Sequence, residues 1–446
     1  MAFRQSPGGP GGANGWNVKV ALVNPRWSFG GSIYFGCREP HLPLEYGYAK
    51  ALLTLSGHIA EIFDAQAEGI DEAAVAAWVG EFAPDMTAVT TAPSYLFWRC
   101  APPELRVPQE ILAALAPVNG IKVAVGPHGS TTPRAALRKL GVDAVVLGEC
   151  EETLVRLADF PRDAWRGMAG LCYVDNGDVV VQGGPQAADM ANLPALDWPA
   201  ETIGAHRHHH HRFDTAPIGR GAEMEASRGC PFHCTFCAKE NFRDQYRRRP
   251  LATILTELDA LIAAGVTYVY FIDEIFLPWR QLLEAIAERP VQFGVQTRID
   301  LWSYGMLDLL GAAGCVSIEA GVESLAAAGR DWLAKQCKLS TDTLTELLIH
   351  AKRSVPFVQA NLIASGDDAE TVQRWREELR RSGVWANDPV PLFPYPGSPD
   401  YRRLWGLPDD DAWERAVDYY LDRYAKLSEI QETRPRRLQE LEALPR

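Results

Sequence analysis

Apolar positions along this chain fall into short strand-like runs separated by segments with helical spacing. Lys19-Val-Ala-Leu-Val-Asn24 is one such run, closed by Pro25. Glu45 to Leu55 repeats its apolar residues at helical intervals, and Gly57-His58 ends that helix before the run Ala60-Glu-Ile-Phe-Asp64. Met86-Thr-Ala-Val-Thr-Thr91 and Ile121-Lys-Val-Ala-Val125 continue the alternation, the latter meeting the loop Gly126-Pro-His-Gly-Ser-Thr-Thr-Pro133. Ala144-Val-Val-Leu147 closes the set before Gly148-Glu149. Strands alternating with helices across residues 17–160 predict a doubly wound parallel sheet. Such sheets bind ligands outside the carboxyl ends of their strands.

Residues 161–222 read as a linker. Leu171 to Val181 predicts a hairpin turning at Asn176-Gly177, and an irregular stretch from Leu193 to Trp198 follows. The run His206-Arg-His-His-His-His-Arg212 comes next. It reads either as a native loop that picks up stray metal or as a lining of an active-site mouth that handles protons. Over residues 223–400 strand and helix signals repeat six times. The strands are Glu223 to Ser227, Tyr268 to Ile272, Gln292 to Gln296, Ser317 to Ala320, Val358 to Ile363 and Val390 to Phe393. Six units predict a partial (β/α)6 barrel with its chemistry at the strand ends. Residues 1–16 read as a disordered tail, and 401–446 as a helical, charged extension covering the barrel or its open edge. The fold class is therefore α/β throughout.

Composition narrows the picture. At 446 residues the chain can bury two to three cores, and 47% hydrophobic with 23% charged residues is ordinary for a globular protein. No apolar run approaches the roughly 18 to 20 residues that cross a bilayer, so no membrane partner is expected. Net charge of −13 weighs against a nucleic-acid partner, and no basic RNA-binding module is visible. The local basic run Arg243, Arg247, Arg248 and Arg249 reads as part solvated surface, part neighbour of an anionic ligand. Cys37, Cys100, Cys150, Cys172, Cys315 and Cys337 are scattered without paired spacing, which points to a reducing cytoplasm.

The chemistry concentrates in Arg228-Gly-Cys-Pro-Phe-His-Cys-Thr-Phe-Cys237, a Cys-x3-Cys-x2-Cys array of Cys230, Cys234 and Cys237. Three thiolates at this spacing can cap three irons of a four-iron cluster and leave the fourth open to a small molecule. Zinc is the competing reading, although structural zinc usually takes four ligands in two separated pairs. There is no Gly-x-Ser-x-Gly elbow, no Gly-x4-Gly-Lys-Ser/Thr loop and no Gly-x-Gly-x-x-Gly fingerprint, so acyl-transfer, kinase and hydride-transfer readings fail.

The cysteine array, with Phe236 before its last member and the strand series behind it, resembles the radical S-adenosylmethionine (SAM) superfamily. That resemblance implies a 4Fe-4S cluster whose open iron binds SAM, and one electron that cleaves SAM to a 5′-deoxyadenosyl radical. It implies SAM contacts from Asp273 and Glu274 for the amine, and from Arg298 for the carboxylate. Glu319 and Glu323 fall near the ribose, and Ser365 with Gly366 beside the adenine. Ser-Gly-Asp-Asp replaces the commoner Gly-x-Pro-Gly there. Tyr395, in Pro394-Tyr-Pro-Gly-Ser-Pro399, lies under the nucleoside or is a packed aromatic. Pro43-Leu-Glu-Tyr-Gly47, Gly57-His58, Gly126-Pro-His128 and Gly148-Glu-Cys-Glu-Glu-Thr153 are similar to the cobalamin-binding domain of one large subgroup. The Asp-x-His-x-x-Gly element of many cobalamin proteins is absent. His128 therefore reads as either a corrin neighbour or a loop-structuring residue. The resemblance implies a cobalamin-dependent methyltransferase acting on a small molecule, with an external electron donor such as flavodoxin or ferredoxin. Radical cyclisation or rearrangement, aminocarboxypropyl transfer from SAM, and a cobalamin-binding redox sensor are the alternatives.

Overall fold

The computed structural model describes residues 17–27, 40–93, 105–206 and 219–423. The tail 1–16, Cys37, Cys100, residues 207–212 of the histidine run and 424–446 lie outside the described residues.

The first sheet has seven strands: β1 (Lys19–Asn24), β2 (Ile59–Asp64), β3 (Met86–Thr90), β4 (Ile121–Val125), β5 (Ala144–Val146), β6 (Leu171–Asp175) and β7 (Asp178–Gln182). Their order is β2-β1-β3-β4-β5-β6-β7. The first five are parallel, in the 2-1-3-4-5 order of one common doubly wound arrangement, which places the ligand crevice at the β1/β3 ends. Alternate residues of β1 serve two cores, because successive side chains leave a strand on opposite faces. Ala21 and Val23 pack with Phe63, Val75, Val79 and Ile111 on one side. Val20 and Leu22 join a core on the other side that runs without interruption into the second domain.

The hairpin expected in a linker is instead the edge of this sheet. β6 pairs antiparallel with β5, and Asn176 and Gly177 both take positive φ, 51° and 90°, at the turn. Sequence pattern locates a hairpin but not its partner, and here the partner is an edge strand with open hydrogen bonds. The rest of the expected linker is also packed, with Leu193 and Leu196 in the core.

The second sheet is the expected partial barrel. Its strands are β8 (Arg220–Met224), β11 (Val266–Phe271), β12 (Gln292–Thr297), β13 (Cys315–Glu323), β14 (Phe357–Leu362) and β15 (Trp385–Ala386), between which β9 (Ser227–Arg228) and β10 (Arg247–Arg248) form a separate ladder. All six barrel strands are parallel, in the order β15-β14-β13-β12-β11-β8. The sixth strand is Trp385–Ala386, not Val390 to Phe393. Pro389 and Pro391 flank Val390 and lack the donors a ladder needs, so Val390 makes only an isolated bridge to Ile363. The helix Ala412–Arg423 reaches back to the first domain, where Trp413 Nε1 donates to Thr132 Oγ1 (2.8 Å) and Lys139 pairs with Glu414 (2.5 Å). It thus covers more than the barrel.

A buried ion network joins the two sheets. Arg228 Nη1 lies 3.0 Å from Glu149 and 2.7 Å from Glu151, and its Nε lies 2.9 Å from Glu225. Arg243 Nη1 is 2.9 Å from Glu225, and Arg247 pairs with Glu149. Arg249 Nη2 is 2.7 Å from Glu257 and also donates to the Pro194 carbonyl. Arg228, Arg243 and Arg249 are each 0–1% exposed. The basic run is therefore largely interior; only Arg248 is exposed, over the Trp279 ring at 4.8 Å. Burial pushes the Glu149 carboxyl up, but Arg228, Arg243 and Arg247 hold it at about 2. Gly148 precedes it with φ +84°, where a Cβ would meet the Gln186 backbone at 2.2 Å, so only glycine fits.

Removing one member of a buried pair strands the other. Arg249→Ala is expected to lower unfolding free energy by about 3–5 kcal/mol, measured by urea denaturation. Adding Glu257→Leu to Arg249→Leu should recover most of that loss.

Candidate active site

The cysteine loop leaves and re-enters the β9–β10 ladder. Arg228 pairs with Arg247, so residues 229–246 form a closed excursion. Gly229 sits at φ +77°, and a Cβ there would lie 2.0 Å from the Gln245 carbonyl. Lys239 Nζ fastens the loop from within, donating to the carbonyls of Cys230 (2.8 Å) and Asp244 (2.9 Å). Thr235 is held from both flanks: its N–H donates to Leu333 O, and its carbonyl accepts from Asp400 N–H, each at 3.0 Å. Cys230, Cys234 and Cys237 are free and half-buried. Among the described residues no three His, Cys, Asp or Glu side chains gather closely enough for a single metal ion. A donor set of three thiols on one loop fits a cluster with one open iron better than four-coordinate zinc.

The strand-end residues sort into two groups. Arg298, Glu274, Glu323 and a residue not anticipated, Lys335, surround the loop. The Arg298 guanidinium lies 3.9 Å over the Phe232 ring, and Asp300 grips its Nε (3.1 Å) and Nη2 (2.7 Å). Its Nη1 is buried with no hydrogen-bond partner. Glu274 Oε2 accepts from Gly229 N–H at 2.8 Å, while its Oε1 is buried without a hydrogen bond, 3.5 Å from Arg243. Burial pushes the Glu274 carboxyl up, against the pull of Arg243. Lys335 Nζ donates to Glu323 Oε1 (3.0 Å) and Gly321 O (2.9 Å). Burial pushes the Cys234 thiol up, an effect that the charges of Lys335 and Arg298 oppose and that of Glu323 adds to.

Lys335 sits in a strained turn. Glu323, Ala334 and Gln336 take φ of 68°, 50° and 57°, three of the five non-glycine residues with positive φ among those described. Strain of this kind persists where the surroundings over-determine it, often at functional sites. No periodic signal marks a lysine 12 residues beyond Glu323, so the sequence pattern passed it over.

The remaining candidates are structural or set deeper. Asp273 turns back to Ala226 N–H (2.9 Å) and Ser227 Oγ, closing β11 onto the approach to the loop; burial pushes its carboxyl up to about 8. Glu319 is half-buried two residues before Gly321, between Gln296 and Gln359 of the neighbouring strands. Ser365 is half-buried with Oγ 3.4 Å from Asp367. Asp367 itself ties down Ser324, Leu325 and Ala326, and Asp368 caps the helix Ala369–Arg381. The departure to Ser-Gly-Asp-Asp is thus explained by two acids that hold backbone. Tyr395 packs edge-on to Phe393 at 4.2 Å, the packed-aromatic reading. His128 is fully buried, with Nδ1 3.1 Å from Thr91 Oγ1 and its ring 4.2 Å from Trp413. These contacts fit the loop-structuring reading. His206 is anchored between Thr202 O (2.6 Å) and Asp64 (3.0 Å). Burial pushes its imidazole pKa down, but these acceptors outweigh that and raise it.

The radical SAM superfamily model matches residues 224–374, the span from β8 to beyond β14 that carries the loop and its strand ends. This chain carries a radical SAM domain. Anaerobic magnesium-protoporphyrin IX monomethyl ester cyclase of Cereibacter sphaeroides is 25% identical over 410 residues, covering 87% of this chain and 64% of the relative. An uncharacterized methyltransferase of Pyrococcus horikoshii is 26% identical over 318 residues, 69% of this chain and 66% of the relative. The chain thus spans just under two thirds of the length of these curated relatives. The radical SAM methyltransferase TsrM of Kitasatospora setae, solved with cobalamin and a [4Fe-4S] cluster, has the same fold over 86% of this chain and 77% of its own. Its TM-score is 0.66 at 18% identity. No described helix of the radical SAM domain or its neighbour is long and apolar enough to cross a membrane.

Changing Cys230, Cys234 or Cys237 to Ala should each remove the bound iron and sulfide and all SAM cleavage. Cys337→Ala, outside the Cys-x3-Cys-x2-Cys array, should leave iron intact. Iron and sulfide analysis after anaerobic reconstitution decides it; one loop variant with near-full iron would overturn the assignment.

Proposed function

We propose that this chain is a cobalamin-dependent radical SAM methyltransferase acting on an unactivated carbon of a small molecule. The observation that carries the reading is the pair of opposite charges that touch the cysteine loop. Arg298, over Phe232 with Nη1 free of hydrogen bonds, and Glu274, on the Gly229 amide with Oε1 making no hydrogen bond and 3.5 Å from Arg243, stand beside the three thiols. SAM presents the complementary groups, a carboxylate and an amine. When bound, the cluster would supply the electron that cleaves SAM.

Each residue then has a definite task. Arg298, held flat on Phe232 by Asp300, offers Nη1 to the SAM carboxylate. Glu274, fixed to the Gly229 amide, offers Oε1 to the amine. Lys335 neutralises Glu323 and turns it toward the ribose. Cobalamin would sit at the crevice of the first sheet, where the β2-β1-β3-β4-β5 order puts a ligand. His128, buried against Thr91 and Trp413, is assigned no role toward the corrin. The fold shared with TsrM and the methyltransferase among the relatives support this choice. A radical cyclisation is the second reading, favoured by the cyclase match over 87% of this chain.

A methyltransferase of this kind consumes one SAM as methyl donor and another as radical source. S-Adenosylhomocysteine and 5′-deoxyadenosine should both accumulate, in about equal amounts once uncoupled cleavage is subtracted. Arg298→Ala should lower both together by about 10- to 100-fold, the worth of one charge-assisted hydrogen bond. Liquid chromatography of quenched reactions reads this directly. Deoxyadenosine without adenosylhomocysteine would favour cyclisation, and 5′-methylthioadenosine as main nucleoside would mean aminocarboxypropyl chemistry.

A further inference from the structure

We propose that Asp367 and Arg330 are positioning residues for SAM, fixing the backbone after Glu323 so that its carboxylate meets the ribose hydroxyls. The proposal rests on the SAM reading of the site. Glu323 stands where the backbone geometry is unfavourable. The register between β13 and β14 shifts between Gly321 and Glu323, and Glu323 takes φ of 68°, in the left-handed region. A bulge of this kind re-aims a side chain, and a left-handed glutamate holds only where its surroundings impose it. Gly321 leaves room for the result, since a Cβ there would lie 2.3 Å from Glu323 Oε1.

The surroundings that impose it are two opposite charges, each bonded to backbone. Asp367 holds the N–H side. Its Oδ2 accepts from Leu325 N–H (2.7 Å), and its Oδ1 accepts from Ala326 N–H (3.0 Å) and Ser324 Oγ (2.9 Å). Arg330 holds the carbonyl side. Its Nη1 donates to the carbonyls of Ser324 (2.9 Å) and Leu325 (2.7 Å), and its Nη2 to that of Leu339 (3.0 Å). The Arg330 carbonyl also accepts from Lys335 N–H at 2.9 Å, so this one residue sets both members of the Glu323–Lys335 pair. Arg330 is 1% exposed, and a guanidinium kept out of water to hold carbonyls is an expensive way to build a plain turn. Helix capping does not account for Asp367 either. Asp368 already caps the helix Ala369–Arg381, which leaves Asp367 to the turn after Glu323. Charged donors and acceptors give the stronger hydrogen bonds, so the two together make the turn rigid from both sides.

The test measures binding of SAM and of its 2′-deoxyribose and 3′-deoxyribose analogues to the anaerobically reconstituted full chain by equilibrium dialysis, with iron content read alongside. The wild type should prefer SAM over at least one analogue by about 10-fold, the worth of one hydrogen bond to a charged group. Asp367→Asn and Arg330→Met should bind SAM about 10-fold more weakly yet bind that analogue nearly as the wild type does, so the preference collapses while iron stays. Glu323→Gln should show the same collapse. Asp368→Ala, which loses the helix cap, should keep the full preference. Should Arg330→Met hold no iron, Asp367→Asn, at a half-buried position, decides alone. A wild type indifferent to both ribose hydroxyls, full preference in the variants, or equal weakening of SAM and analogue would overturn the positioning role. A wild type that holds no cluster or binds no SAM would instead overturn the reading beneath it.

Discussion

Arg228 is the residue on which most of this architecture turns. It ends β9, immediately before the glycine and first cysteine of the loop, and its guanidinium is fully buried among Glu149, Glu151 and Glu225. Two of those carboxylates follow β5 of the first sheet and one follows β8 of the barrel. A guanidinium out of water costs several kcal/mol unless its hydrogen bonds are met, and such pairs add little net stability over a well-packed apolar core. What the network supplies is registry: the Gly148-Glu149 turn at the crevice of one sheet is locked to the cysteine loop of the other. Arg243 extends the lock to Glu274, a residue at the proposed SAM site.

That registry gives the two domains one working face. In the proposed reading a ligand would sit at the carboxyl ends of the first sheet, while the β9–β10 loop carries the thiols and Arg298, Glu274, Glu323 and Lys335 lie around it. A cofactor held by one and a substrate held by the other must meet at a fixed distance, and a rigid junction is how a static scaffold achieves it. The antiparallel hairpin β6–β7 and the helix Ala412–Arg423, which also touches the first domain, add further ties.

The sequence was most legible where the signal is local. The cysteine array, the strand runs of the first sheet and the four middle strands of the barrel depend on spacing, and the structure has them there; the first barrel strand lies slightly earlier, at Arg220–Met224, and the sixth at Trp385–Ala386. It was least legible where meaning depends on a distant partner. The hairpin was visible at Asn176-Gly177, but its pairing to β5 was not. Arg243 and Arg249 looked like surface charge because their glutamates lie far off in the chain. The prolines around Val390 were available as evidence against a sixth strand there. Asp273 and Glu274, adjacent in sequence, point to different tasks, one to backbone closure and one to the loop. Lys335 had no pattern at all; only the left-handed residues beside it mark the position.

The account stands or falls on whether one chain holds both a cluster and a corrin. The most direct measurement is the ultraviolet–visible spectrum of anaerobically reconstituted protein, desalted after incubation with hydroxocobalamin. The account predicts iron–sulfur absorption together with corrin bands that stay with the protein. Cluster absorption alone, with all corrin washing through, would reduce the first domain to a packing partner and contradict it.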